Sequence, residues 1–174
     1  MKYDAMSMME KNQPKAAISL FNKILKQNPK DTDVLLNKGI ALNKIRKYSD
    51  AITCFDNMLE INSKDAQALN NKGIAMAENG NIQAASECYD MAIEANPKYA
   101  ASYFNKGVLL DKLQEHEEAL IALEKAISAD SLKGNDEKKV KVIEDRKEAI
   151  IHGSSLIRDD DCLVILGKGH EQTQ

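Results

Sequence analysis

Long apolar stretches and a strong charge of either sign are both missing from this sequence. The first eleven residues mix acidic side chains into a short segment, which excludes a signal peptide or a membrane span there. Lysine and arginine number 24 against 27 acidic residues, so the net charge of −3 gives no electrostatic reason to expect nucleic acid or an anionic membrane as partner. The composition favours a globular protein.

Cysteine is scarce, and its spacing matches neither a disulfide framework nor a redox motif. The three residues Cys54, Cys88 and Cys162 form no Cys-x-x-Cys pair. Cys54 and Cys88 are separated by the same interval that separates successive copies of an Asn-Lys-Gly tripeptide, so the two cysteines occupy equivalent places in the chain. We expect small, half-buried thiols in a reducing cytoplasm.

Catalytic and cofactor signatures are missing as well. His116, His152 and His170 lack the spacing of zinc ligands. Gly167-Lys168-Gly169 lacks the rest of a phosphate-binding loop and is interpreted as a glycine turn, and Glu117-Glu118 as a solvated helix face. The sequence therefore predicts no catalytic residue, no metal site and no cofactor, and a protein that is not an enzyme.

A tripeptide that returns at a fixed interval organises the chain. Asn-Lys-Gly and a second marker, Asn-(Pro/Ser)-Lys, each occur three times at one constant interval. A period of this length, about 34 residues, is typical of a helix-turn-helix solenoid. The copies are Asn37-Lys38-Gly39, Asn71-Lys72-Gly73 and Asn105-Lys106-Gly107, with Asn28-Pro29-Lys30, Asn62-Ser63-Lys64 and Asn96-Pro97-Lys98.

Four positions within the period predict how two helices pack. We number each unit from 1, starting at residues 32, 66 and 100, which gives positions 8 and 20 small residues, position 24 a bulky one and position 32 a turn residue. Small residues at 8 and 20 let two antiparallel helices approach closely, and proline at 32 ends the second helix. These residues are Gly39, Gly73 and Gly107; Ala51, Ala85 and Ala119; Phe55, Tyr89 and Leu123; and Ser63, Pro97 and Ser131.

This pattern resembles the tetratricopeptide repeat (TPR) family, a resemblance that spans about the first three quarters of the chain. It implies an all-α fold, a right-handed TPR superhelix of antiparallel helix pairs, with an array over 1–133. Full repeats are expected over 32–65, 66–99 and 100–133. Two positions depart from the family pattern: position 4, usually Trp, is Leu35, Leu69 and Tyr103, and position 7 is Lys in each repeat.

Residues 1–31 fit a truncated first repeat. Ala17, Phe21 and Pro29 fall on positions 20, 24 and 32, and Pro14 falls in the first turn of a second helix, where its missing N–H costs nothing. Met6, Met8 and Met9 would form an apolar edge at this end. Two alternatives stay open for this Met-rich edge: further repeats would precede it, or it would serve self-association.

The period stops after Lys133, and residues 134–174 form a C-terminal extension. Two interpretations stay open for Lys138–Ile157: a capping helix with apolar Val140, Ile143, Ile150 and Ile157, or a short strand followed by a helix. Cys162–Leu166 has the β-branched, apolar character of a buried strand.

The extension carries a second resemblance. Asp145-Arg146, Ala149-Ile150, the run Cys162–Leu166 and Gly167-Lys168-Gly169-His170-Glu171 look like the C-terminal end of Mur ligases of the UDP-N-acetylmuramoyl-tripeptide synthetase type. The resemblance implies that Gly167 and Glu171 match residues that help to hold the incoming amino acid. The ATP-binding loop, the metal ligands and the Asn-Pro-Arg motif of those enzymes are missing, so this fragment is not expected to be active.

The solenoid predicts a binding groove on its concave surface. The first helices line this groove, with positions 5, 6 and 9 among those that face it. An apolar stripe beside a ladder of asparagines suits an extended peptide or a helix. Positions 5 and 9 also pack in part against the neighbouring first helix, and asparagine at position 6 is common in the family whatever the ligand. The predicted groove residues are Leu36, Asn37, Ile40, Asn70, Asn71, Ile74, Phe104, Asn105 and Val108.

Two functions from different classes follow. The first is a protein-interaction scaffold that binds a protein or peptide in the groove. The second is a fragment or fusion of a Mur-ligase-like peptidoglycan-synthesis enzyme, inactive by itself, whose tail mediates self-association. A homo-oligomer formed through the tail is predicted because an unpaired strand at Cys162–Leu166 would seek a groove or a sheet edge.

Overall fold

The computed structural model describes residues 1–131, and the fold is all-α over that range. Eight helices and no strand occur among the described residues. They are α1 (Lys2–Glu10), α2 (Pro14–Gln27), α3 (Thr32–Lys44), α4 (Tyr48–Ile61), α5 (Ala66–Glu78), α6 (Ile82–Ala95), α7 (Ala100–Lys112) and α8 (His116–Ser131).

Side-chain caps set where several helices begin. Asp31 accepts a hydrogen bond from the backbone N–H of Val34 at 3.1 Å, which satisfies an otherwise unpaired donor of α3. Asp65, one period later, does the same for Ala68 at 2.9 Å. Pro14 stands in the first turn of α2, as expected.

A residue with positive φ follows the end of the first helix of each pair, that is, of α1, α3, α5 and α7. Asn12, Arg46, Gly80 and Gln114 have φ values of 54°, 60°, 86° and 65°, and each is one period from the next. In each case the next residue donates its backbone N–H to a carbonyl of the last turn, as Lys47 does to Leu42 at 2.9 Å. This left-handed termination turns the chain back so that the second helix packs against the first.

Within a pair, the two helices meet where the first carries glycine. A Cβ atom added at Gly39 would lie 2.5 Å from the Phe55 ring, and one added at Gly73 would lie 2.5 Å from the Tyr89 ring. Phe55 is fully buried in a cluster that also contains Leu35, Leu42 and Met58. Apolar burial of this kind is the main stabilising term for the fold.

Contacts between pairs arrange the helices in two rows. The first helices contact one another in the order α1, α3, α5, α7, whereas no contact joins any two of the second helices α2, α4, α6 and α8. Each second helix contacts the first helix of its own pair, and α2, α4 and α6 also contact that of the next pair. Since only the first helices touch along the array, their row is the inner, more tightly curved side.

The two cysteines of the described region are more buried than the half-buried state expected from sequence. Cys54 and Cys88 are free thiols exposed by only 4% and 7%. Burial is the largest cause that raises the pKa of each thiol.

The predicted extension over 134–174 lies outside the described residues. So do the two interpretations of Lys138–Ile157, the run Cys162–Leu166 and the Mur-ligase-like residues Gly167 and Glu171.

Candidate functional site

The inner row of helices carries an apolar line at position 9. Ile40 on α3 and Ile74 on α5 are half-buried, and Val108 on α7 is 37% exposed. One period before Ile40 lies Met6 on α1, also 37% exposed. The line therefore crosses all four first helices, with its most accessible side chains at the two ends.

Met6 and its neighbour Tyr3 occupy the predicted groove positions on α1, and the sequence-based prediction did not include them. Tyr3 occupies position 6, where the later helices have asparagine, and its side chain is 86% exposed. Tyr3 lies one period before Asn37, and Met6 lies one period before Ile40, so the repeat pattern could have identified both residues. The prediction began the groove at the first complete repeat.

Some of the predicted groove residues also stabilise the fold. Leu36 packs against the cluster around Phe55. Ile74 packs against the cluster formed by Ala85, Tyr89 and Leu109. Phe104 is half-buried on α7. A ligand could reach only part of these side chains, so the exposed side chains of the apolar line are Met6 and Val108, at its two ends.

The asparagines at position 6 form two kinds of side-chain hydrogen bond, one within a helix and one between helices. The side-chain amides of Asn37 and Asn71 donate to the carbonyls of Asp33 and Gln67 in their own helices, each at 2.8 Å. Each of these amides has a second N–H and its oxygen, and both side chains are half-exposed. Asn37 and Asn71 are thus held in fixed orientations that can serve a partner's backbone.

Asn105 instead reaches across to the preceding first helix. Its Nδ2 donates to Oδ1 of Asn70 at 2.9 Å, and Asn70 is only 3% exposed. The pair links α7 to α5 from within the inner row. The structure therefore places Asn70 beneath the surface, while Asn105 is half-buried above it.

Charges alternate in sign along the last turn of the inner helices. Glu10, Lys44, Glu78 and Lys112 occupy the same place in the period, position 13, and all four are exposed. Glu78 accepts a hydrogen bond from the Tyr48 hydroxyl at 3.4 Å. The groove therefore has an edge of balanced charge beside its apolar line.

The cationic side chain of Lys2, at the start of α1, is paired with acidic side chains of the protein. The Lys2 ammonium lies 2.9 Å from a carboxylate oxygen of Asp33 and 3.3 Å from one of Asp31. The hydrogen bond to Asp33 is the largest cause that raises the pKa of Lys2. Lys2 thus ties α1 to the start of α3.

Metal-binding side-chain groups and membrane-spanning helices are both missing from residues 1–131. No group of His, Cys, Asp or Glu side chains in residues 1–131 is arranged to hold a metal ion. None of the eight helices is both long enough and apolar enough to cross a bilayer. A cleft beside the α4–α5 and α6–α7 connections is lined by Lys64, Asp65, Ala66, Gln67, Ala95, Asn96 and Tyr99.

Two polar side chains of that cleft, Asp65 and Tyr99, are not placed for acid–base chemistry. The Asp65 side chain already caps α5, and the Tyr99 hydroxyl has its pKa raised chiefly by burial, so it stays protonated at neutral pH. The inner face is therefore the better candidate for function.

Solved structures with similar folds are TPR proteins. The structure "Crystal structure of MamA" is 30% identical, with a TM-score of 0.64 and coverage of 72% of this chain and 73% of that one. YrrB, described as "a TPR protein with an unusual peptide-binding site", is 26% identical with a TM-score of 0.62, covering 72% and 64%. TTC0263, a thermophilic TPR protein in Thermus thermophilus, is 18% identical with a TM-score of 0.68, covering 75% and 73%, and shows the shared fold alone.

The family comparison agrees with the helix-pair geometry. Curated proteins give no significant match. The family profile described as "Psidin, N-terminal TPR repeats region" matches residues 3–131, which is the same part of the chain that forms the eight helices. With its constant repeat interval and its glycine-to-ring contacts, the chain belongs to the TPR repeat family.

Proposed function

We propose that this protein is an interaction scaffold that binds a peptide or a helix of a partner protein along the inner face of its helix row. The observation that carries the proposal is the apolar line Met6, Ile40, Ile74 and Val108, which crosses all four first helices. A line of apolar side chains in a concave surface, accessible in part along its length, is a usual anchor for such segments.

The polar groups beside the line favour a ligand with an accessible backbone. Asn37 and Asn71 are oriented by their own helices and keep one amide hydrogen and the oxygen free of those bonds. An extended peptide could exchange hydrogen bonds with them while its apolar side chains cover Ile40 and Ile74. YrrB, a relative described as having a peptide-binding site, supports this choice of ligand.

The charges argue for a mixed-charge or neutral ligand. TPR grooves that capture acidic chaperone tails use lysine at position 5, where this chain has Leu36, Asn70 and Phe104. Acidic and basic residues alternate at position 13 along the edge, so a strongly acidic or strongly basic peptide would meet repulsion at every second helix. We therefore propose that apolar anchors give the affinity and that paired charges set the register.

A substitution at the exposed end of the line tests the proposal. Peptides are selected from a displayed random library on the full chain, and their affinities for the Val108→Lys variant are then measured by calorimetry. A buried charge at an apolar contact costs about 1–3 kcal/mol, so we expect about a tenfold or greater loss of affinity.

Met91→Lys is the matched control. Met91 is an exposed apolar residue, at 50%, but it lies on the second helix α6, outside the inner row. Selected peptides should bind this variant as they bind the unaltered chain. Equal affinities for the Val108→Lys and Met91→Lys variants, or a greater loss in the latter, would place the binding surface elsewhere.

A further inference from the structure

The charged residues at the edge of the groove keep the same interval as the apolar line. Glu10, Lys44, Glu78 and Lys112 each follow a residue of that line by four positions on the same first helix. Four residues of an α-helix turn through about 400°, so the charged side chain lies about 6 Å along the helix on nearly the same face. The groove therefore carries two parallel lines, one apolar and one charged, with one member of each on every first helix.

The charges of the second line are available to a partner. All four side chains are exposed, and none of them forms an ion pair with another side chain of residues 1–131. Glu78 accepts a hydrogen bond from the Tyr48 hydroxyl, which brings no counter-charge. From α1 to α7 the signs are negative, positive, negative and positive. A ligand with the opposite order of charges would meet an attractive partner on every first helix.

The distance between neighbouring first helices selects the conformation of the ligand. Packed helices are about 8–10 Å apart, so each line offers one contact at about that interval. A polyproline II segment rises about 3.1 Å per residue and turns once every three residues, which brings every third side chain to one edge about 9 Å apart. In a β-strand, side chains on one face are about 7 Å or about 13 Å apart and fall out of step with the helices.

Two further features favour polyproline II over an α-helix, in which every seventh residue also returns to one face, about 10.5 Å on. Polyproline II has no internal hydrogen bonds, so its backbone can bond to the amide groups of Asn37 and Asn71 that their own helices leave unused. An α-helix has already paired its backbone groups. Tyr3, 86% exposed beside Met6, places an aromatic ring at the end of the line, and aromatic rings are the usual contacts of proline-rich segments.

We propose that the groove binds a polyproline II segment, one turn for each helix pair, and that the alternating charges fix the direction in which the segment lies. In each turn an apolar residue contacts the apolar line and a charged residue lies beside the charged line. Charges that run positive, negative, positive, negative from the N-terminus of the segment place that terminus at α1, and the opposite order places it at α7. The proposal rests on the function proposed above and specifies its class of ligand.

Two synthetic peptides of equal composition test the direction. Each consists of four triplets of leucine, proline and a charged residue, and the charged residues are Lys, Glu, Lys, Glu in one peptide and Glu, Lys, Glu, Lys in the other. Each peptide carries a nitroxide spin label at its N-terminus, and the broadening of amide signals in the isotope-labelled full chain is measured. We expect broadening at α1 with the first peptide and at α7 with the second. Broadening of the same helix by both peptides would overturn the proposal.

A variant with the four groove charges exchanged supplies the reciprocal test. It combines Glu10→Lys, Lys44→Glu, Glu78→Lys and Lys112→Glu, and its net charge is unchanged. Each peptide should bind this variant in the direction opposite to the one that it takes on the unaltered chain. The matched control, Lys23→Glu with Glu94→Lys, exchanges exposed charges on α2 and α6 and should leave both directions as they were. Directions that stay the same in the four-site variant would also overturn the proposal.

Replacing the prolines of both peptides by alanine tests the conformation of the ligand. Alanine removes the preset polyproline II backbone and favours an α-helix, so the affinity measured by calorimetry should fall about fivefold or more. Equal or tighter binding would mean that the groove takes a helix, which overturns this proposal and leaves the scaffold function standing.

The library-selected peptides separate failure of this proposal from failure of the proposed function. If those peptides bind and lose affinity in Val108→Lys while both triplet peptides fail to bind, the polyproline II class is wrong and the groove remains the binding surface. If the library-selected peptides keep their affinity in Val108→Lys, the groove function fails, and the proposal fails with it.

Discussion

The ring of Phe55 fills the space that a side chain at Gly39 would need, since a Cβ there would lie 2.5 Å from two ring atoms. Phe55 has no exposed surface, so its ring cannot swing out into solvent and can move only by displacing its neighbours. The small residue on one helix and the large one on the other are therefore a single packing feature.

Substituting Gly39 by alanine should destabilise the protein despite the better helix propensity of alanine. Overpacking costs about 1–3 kcal/mol, and the propensity gain offsets about 1 kcal/mol of it. We expect the free energy of unfolding to fall by up to about 2 kcal/mol, as measured by urea denaturation. The double variant Gly39→Ala/Phe55→Leu should show a smaller loss than the sum of its two single substitutions; additive losses would mean that the two residues do not compete for space.

Replacing Gln114 by glycine should stabilise the protein. Gln114 has φ of 65°, where a side chain is strained by about 1–2 kcal/mol and glycine is not. The greater freedom of glycine in the unfolded chain offsets about 0.5–1 kcal/mol, which leaves a net gain of about 0.5–1 kcal/mol. Gly80→Ala, the reverse change at the equivalent place, should lower stability, and a gain there would contradict the explanation.

Ser102 offers a second site for stabilisation. Its side chain is fully buried, and its hydroxyl oxygen has no hydrogen-bond partner among the described residues. The equivalent residues of the two preceding first helices are Val34 and Ala68. Ser102→Ala removes a buried hydroxyl that costs about 1 kcal/mol, so the melting temperature should rise. Ser128→Ala, which removes an exposed hydroxyl bonded to the Glu124 carbonyl, serves as the control and should not raise it.

The ion pair between Lys72 and Asp56 should contribute little and depend on salt. The two groups are 2.7 Å apart, but the Asp56 side chain is 47% exposed. A double-mutant cycle with Lys72→Met and Asp56→Asn should give a coupling free energy of about 0.5 kcal/mol at low salt. The coupling should shrink towards zero near about 1 M salt. A coupling that is the same at both salt concentrations would contradict this screened, surface character.

The buried thiols should react slowly and only at high pH. Burial raises the pKa of Cys54 and Cys88, and nearby Lys38 and Lys72 oppose it less strongly. Since the native pKa is the higher one, the stabilising contribution of the neutral thiols is full below the unfolded pKa of about 8.5 and is lost as the pH rises above it. Iodoacetamide should modify both residues much more slowly in the folded protein than in urea, as followed by peptide mass spectrometry. Equal rates would show that these thiols are accessible.

Periodicity was enough to predict the fold. Gly39, Gly73 and Gly107 recur at the repeat interval, each with a bulky partner at position 24 of its own unit, and this pattern directly reports two helices in close contact. The left-handed residues were not predictable in the same way. Only Gly80 among the four has the residue type that a positive φ most favours, and Arg46 and Gln114 adopt it because the surrounding helices require the turn.

The candidate site was less accessible to sequence reasoning. Asn37, Asn71 and Asn105 are identical in sequence, yet Asn105 bonds across to Asn70 because position 5 of α5 carries a second amide within reach. The lysines at position 7 depart from the family pattern, and the structure shows that two of them pair with acids of the preceding helix pair. Such pairings depend on the packing of neighbouring units, which a single-residue pattern does not show.

Mapping a bound peptide by NMR is the most direct test of the proposed groove. A peptide selected on the full chain is titrated into the labelled protein, and amide shift changes are assigned to helices. The account predicts that the largest changes fall on α1, α3, α5 and α7, centred on Met6, Ile40, Ile74 and Val108. Changes concentrated on α2, α4, α6 and α8 would contradict it.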